Sequence, residues 1–321
     1  MSIPSSGSSH LFNAANELHA PEIALWPGDR YSGAMKNHSK GTARMNNPAN
    51  ADSRNVPLPI QREVRQRCGF GCVICGMPLY EYEHLEGWAN VHRHVADEIT
   101  LLCDRHHREK TAGLLPIQDV KSANAAPLNL RQGSSSPYRL HFSGPDATVW
   151  IGNNNFSGQL HDGLFMYPLI IDQAALIGFA FEAGHLLLTL NVFDEHNFPV
   201  LIIENNHLKY SVDTWDIQFV ARNLIIRVAS RNILIELEFR PPSEIAVLRG
   251  RFLLNGVEVL VRKDDCSIVN TGDTFSGTTF LGALGGLVLG PMNVEIPSMY
   301  RRPYIPRYGV DRKTALRDAT S

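Results

Sequence analysis

Four of the chain's five cysteines, Cys68, Cys72, Cys75 and Cys103, fall in one short segment. Two residues separate Cys72 from Cys75, and the same gap recurs between Cys103 and His106. Two such pairs supply three thiolates and one imidazole, the donor set of a closed tetrahedral zinc site. A shell of four protein ligands leaves no open position, so a zinc ion there is expected to shape the fold. Buried core thiols are the plain alternative, because unpaired cysteine is among the most buried residue types. A redox pair is a weaker one, since Cys72-x2-Cys75 does not open a helix in a βαβ unit. Cys68 is a spare that can replace Cys72 only with a wider gap, so Cys72 is the preferred ligand. Cys266 stands apart as an isolated thiol.

An odd cysteine count, clustered rather than spread, argues against a secreted disulfide scaffold. The first residues lack a basic stretch followed by an apolar one, so no signal peptide is expected. The most apolar glycine-rich run, residues 278–290, is shorter than the roughly 20 residues that span a bilayer. A cytoplasmic protein with reduced thiols and no membrane contact is the expectation. With 321 residues, 44% of them hydrophobic, the chain has material for about two domains. Its formal net charge is −2, so contact with nucleic acid requires local basic patches.

Residues 1–55 are rich in Ser, Asn, Ala, Gly and Pro without a hydrophobic period, which predicts a poorly ordered leader. A short basic helix is predicted over 60–67. The Cys/His-rich stretch ends in a helix that Asp104 caps and Gly113 and Pro116 stop. Residues 56–116 thus form the first domain. The Ser/Gly/Pro cluster within 117–137 reads as a linker. From Tyr138 onward the period becomes two: Ile233, Ile235, Leu237 and Phe239 take one face, Glu236 and Glu238 the other. Turn signals recur at Asn205-Asn206, Asp213-Thr214, Arg231-Asn232 and Pro241-Pro242. Asn255-Gly256 carries the signature of a type I′ hairpin. Many short strands with close turns predict an all-β domain over 138–295, a sandwich or a β-solenoid. A basic tail follows over 296–321. GNNNFSG at 152–158 and TGDTFSG at 271–277 echo one another, which reads as chance rather than as a repeat.

Between the two ligand pairs stands Glu83-His84, and His107 and Lys110 follow His106. The string C-x2-C, E-H, C-x2-H-H-x2-K resembles the zinc-stabilised form of the HNH endonuclease family, the ββα-metal nucleases. The matching residues are Cys72, Cys75, Glu83, His84, Cys103, His106, His107 and Lys110, and the resemblance covers about residues 60–116. It implies an α+β chain in which a small ββα-metal, zinc-containing nuclease domain precedes the larger all-β domain. It also implies a metal-dependent endonuclease that hydrolyses phosphodiester bonds of DNA, double-stranded by expectation. His84 takes the role of general base, an imidazole whose ordinary pKa of about 6.5 lies near the working pH. Glu83 and His107 become ligands of a catalytic Mg²⁺ or Mn²⁺. A structural Zn²⁺ on Cys72, Cys75, Cys103 and His106 keeps hairpin and helix in register.

Two positions depart from the family pattern. Glu83 stands where Asp is usual. Glu98 occupies the place of the middle Asn, which in the family ties the hairpin loop and orients the base. Arg65, Arg67, Arg105, Arg108 and Lys110 flank the site and are candidate phosphate contacts. His92 and His94 read as a solvated loop, and Trp88 as packing. The β-domain carries no nucleophile elbow, phosphate loop or paired acids; targeting, regulation or self-association into a homo-oligomer is its expected role. The alternative reading is a non-catalytic zinc module binding nucleic acid or protein, with the missing Asn marking lost activity.

Overall fold

A computed structural model describes residues 55–282 and 284–308. The leader expected over 1–55 lies outside the described residues except for Asn55, and so do Arg312 and Lys313 of the expected tail. The chain divides into two compact units, the first ending at Ser136 and the second beginning at Pro137. The architecture is mixed α+β, mostly sheet with few helices.

In the first unit α1, Leu58–Arg67, starts behind Pro57 with Pro59 in its first turn, where a missing N–H costs little. Arg65 and Arg67 in the last turn favour the negative end of the helix dipole. The chain then turns through Gly69 and Phe70, both at positive φ, into the Cys72–Cys75 knuckle. β1, Glu81–His84, pairs antiparallel with β2, Ile99–Leu102. Their connection holds the single turn α2, Trp88–Val91, and a 3-10 turn, Ala96–Glu98. α3, Asp104–Thr111, follows β2 directly. Cys103 rather than the expected Asp104 occupies its N-cap; Asp104 lies in the first turn, where its charge suits the positive end of the helix. Val64, Ile99, Leu101, Leu102 and Val120 are fully buried in the core of this unit. Each contributes about 1.5–3 kcal/mol by leaving water.

The stretch expected as a linker is helical. α4, Ile117–Ala125, begins behind Pro116, and α5, Leu128–Gln132, begins behind Pro127 and ends at Gly133 with φ +72°. Proline is tolerated at a helix start and glycine at its left-handed end, so Pro127 and Gly133, inside the stretch read as linker, bound a helix, while residues 135–137 stay outside helix and strand. Val120 of α4 packs into the core around the knuckle.

The second unit consists of two large sheets. In the eight-stranded sheet, Phe165–Ile171, Ala174–Glu182, His185–Phe193, Pro199–Glu204 and His207–Tyr210 form an antiparallel meander. Gly285–Leu289 and then Ser298–Arg302 extend it in parallel at one edge. The ten-stranded sheet runs as a second meander from Asp216–Val220 to Asp273–Phe275. Its longest strand, Glu244–Leu254, divides one edge between two partners: Asp146–Ile151 in parallel and Val257–Val261 antiparallel. Pairing between chain neighbours in antiparallel meanders is not the pattern of stacked solenoid coils. Asn255 and Gly256, at φ +50° and +74°, make the expected I′ hairpin turn.

The basic tail expected from residue 296 is partly sheet. Ser298–Arg302 is an edge strand, and Arg302 and Arg307 pair with Asp273 and Asp172 at 3.4 and 2.6 Å. The two echoing segments are neighbours in space. Asn153 Nδ2 donates to Ser276 Oγ at 3.2 Å, and Gly277 N donates to Asn153 Oδ1 at 3.0 Å.

Candidate functional site

The knuckle and the start of α3 converge on a cluster of Cys72, Cys75, Cys103 and His106, whose ligand atoms all lie within 4.8 Å of one another. Cys75 Sγ is 3.7 Å from Cys103 Sγ, and His106 Nδ1 is 3.4 Å from Cys72 Sγ and 3.3 Å from Cys103 Sγ. Bonds of about 2.3 Å to sulfur and about 2.0 Å to nitrogen set tetrahedral ligand spacings of about 3.5–3.8 Å. The donor types and spacings therefore fit a metal ion such as zinc. A hydrogen bond from Cys75 pushes the Cys72 thiol down, against the effect of burial. The same bond, then burial, pushes Cys75 up. Cys68 stays outside the cluster, near Thr100 and Asn124, with its thiol raised by burial.

Strand residues two apart share a face, so Glu81 and Glu83 leave β1 on the same side. Both meet His107 of α3. Glu83 Oε2 lies 3.0 Å from His107 Nε2, and Glu81 Oε2 lies 3.6 Å from Nδ1. Glu81 was not singled out in the sequence; its spacing of two from Glu83 is the signal that finds it. Lys110, one turn beyond His107, pairs its Nζ with Glu83 Oε1 and donates to the His84 carbonyl oxygen at 3.1 Å.

The His84 ring leaves β1 toward the loop. It is 6% exposed, hydrogen-bonds the Arg93 backbone, and places Nε2 3.3 Å from His94 Nδ1. Burial first, then the neighbouring His94, hold its pKa below the ordinary imidazole value. Trp88 stacks on His94 with ring centroids 4.8 Å apart and lies 5.0 Å from the His84 ring. His94, read from sequence as a solvated loop residue, thus belongs to the surroundings of His84. Glu98 holds the same loop: Arg93 Nε donates to Glu98 Oε2 at 2.9 Å, and Leu85 N donates to the Glu98 carbonyl at 2.9 Å.

The five candidate phosphate contacts divide. Arg65 is 2% exposed and donates to Tyr82 Oη at 2.7 Å, so its guanidinium is an interior group. Arg67 donates to Asn124 Oδ1 at 2.9 Å and to the carbonyls of Ala96 and Ile99. Lys110 is committed to Glu83 and His84. Arg65 is buried and Arg67 and Lys110 are partly buried, and all three already donate to protein oxygens. Arg105 and Arg108, with side chains 77% and 73% exposed, make i,i+4 pairs with Glu109 and Asp104 on α3.

Among the described residues, no helix is long and apolar enough to cross a membrane. No protein-family model, curated protein or solved structure matches the chain.

Proposed function

We propose that the chain is a metal-dependent endonuclease of the HNH type that hydrolyses DNA. The observation that carries this reading is the carboxylate–imidazole pair Glu83–His107, 3.0 Å apart and separate in membership from the Cys₃His cluster. Glu83 and His107 would together hold a divalent cation such as Mn²⁺ or Mg²⁺ through a carboxylate oxygen and an imidazole nitrogen. When bound, such a cation would supply neutralisation of charge on the phosphodiester and on its leaving 3′ oxygen. His84 would accept the proton of the attacking water at Nε2, its ring held through the Arg93 backbone. Cys72, Cys75, Cys103 and His106 would hold a zinc ion that closes the knuckle onto α3, apart from the chemistry. Arg105 and Arg108 follow the phosphates. The β-rich unit targets, regulates or self-associates.

Nicking of supercoiled plasmid in Mg²⁺ or Mn²⁺ tests the reading. His84→Ala is expected to lose at least about 100-fold in rate with zinc content unchanged. Equal nicking by the variant would overturn the assignment.

A second reading has its own observation. Glu83 is already bonded by Lys110 as well as His107, and His84 Nε2 already faces His94. Groups with these partners suit a non-catalytic zinc module that binds nucleic acid or protein. Its signature is DNA binding by the wild-type chain with no nicking in either cation.

A further inference from the structure

The residues after α4 lie on the Cys72–Cys75 knuckle and bond it at four points. Leu128 N donates to the Val73 carbonyl at 3.1 Å, at the start of α5. Asn129 Nδ2 donates to the Gly69 carbonyl at 2.9 Å, from a fully buried side chain. Ser136 Oγ donates to the Cys75 carbonyl at 2.7 Å, and Ser136 N to the Gly76 carbonyl at 3.1 Å. Two of these acceptors are the backbone of Cys75 and of the residue that follows it.

The glycines of the knuckle record the same contact. A Cβ on Gly76 would lie 2.3 Å from Asn129 Oδ1 and 2.6 Å from Ser136 Oγ. One on Gly71 would lie 2.5 Å from Asn129 Nδ2. Gly76 also has φ +71°, where a side chain is strained in any case. Real Cβ atoms do not approach heavy atoms this closely, so glycine at 71 and 76 makes room for Asn129 and Ser136.

We infer that α5 and the residues up to Ser136 form a strap that holds the knuckle in its ligating conformation, with Asn129 and Ser136 as positioning residues for the metal. A thiolate pair on a two-residue gap can ligate only if the intervening backbone keeps both sulfurs on one side. Bonds to the carbonyls of Gly69, Val73, Cys75 and Gly76 fix that backbone from both ends of the pair. The strap is thus the outer shell of the metal centre, and such groups typically change metal affinity by about 10–100-fold. The inference concerns the metal site alone and stands whether or not the chain cuts DNA.

Zinc transfer from the full-length protein to a chromogenic chelator at neutral pH tests it, alongside the absorption spectrum of the Co²⁺-substituted protein. Asn129→Ala and Ser136→Ala are expected to release zinc about 10-fold faster than wild type and to perturb the thiolate–Co²⁺ bands. Ser136→Thr keeps the hydroxyl and is expected to release at the wild-type rate. Should Asn129→Ala fail to fold, the serine pair decides. Wild-type release rates in the alanine variants, release by Ser136→Thr as fast as by Ser136→Ala, or no zinc bound by wild type would each overturn the inference.

Discussion

Arg65 and Arg105 carry the same charge and do opposite work. Arg65 donates from the interior to Tyr82 Oη, whereas Arg105 is exposed on α3 against Glu109. Arg65→Ala removes a charged hydrogen bond from a buried site and is expected to cost about 1–3 kcal/mol, read as a lower denaturant midpoint. Arg105→Ala is expected to leave stability within about 0.5 kcal/mol. If α3 lies along DNA, it also lowers the slope of log affinity against log salt by about 1. A salt slope that falls for Arg65→Ala and not for Arg105→Ala would reverse the two assignments.

At the scale of elements, the edge strand Ser298–Arg302 is tied to Asp273. Thr271 Oγ1 and Tyr300 Oη both donate to Asp273 Oδ2 at 2.5 Å. The bond from Thr271, then that from Tyr300, hold the Asp273 carboxyl below the usual range. A depressed carboxylate pKa stabilises the folded state above the unfolded value of about 3.9, and that contribution disappears as pH falls through the folded value. Tyr300→Phe is therefore expected to bring the Asp273 titration nearer to normal, as followed by carboxyl NMR. It should destabilise the protein at neutral pH and lose that effect in acid. A loss of stability that persists undiminished below both pKa values would point to packing against Phe275 instead, whose ring centroid lies 5.2 Å from that of Tyr300. β1 shows the other use of a strand. Its alternation separates Glu83, which faces α3, from the His84 ring, which faces the loop, and Lys110 bonds both residues.

At the scale of the whole chain, the first unit runs through Ser136, not to residue 116. A fragment of residues 55–136 is expected to hold about one zinc ion. A fragment ending at residue 116 lacks the strap and Val120 of the core, and is expected to lose the metal to chelator and to unfold. Equal zinc retention by the two fragments would show that α4 and α5 are dispensable to the knuckle. Under the proposed function, removing residues 138–321 should leave phosphodiester cleavage and alter its target or control. Identical substrates and rates for full chain and fragment would deny the β-rich unit that role.

The sequence by itself determined what is local. The paired two-residue gaps named the four residues that cluster and could hold a metal ion, since groups on one knuckle and one helix turn follow from local spacing. Period two and the turn residues marked the β-rich region, because alternation and positive-φ positions such as Asn255-Gly256 belong to a few neighbouring residues. Tertiary structure decided what depends on closure. Pro116, read as the stop of one helix, became the start of α4, and Pro127 and Gly133, read as linker, became the boundaries of α5, once Val120 found a core to enter. Arg65 became an interior group, and Arg67 and Lys110 partly buried ones, only when hairpin and helices supplied acceptors for them. His94 reached His84, and Asn129 reached Gly69, because a fold brings together hydrogen-bond partners that chain separation hides.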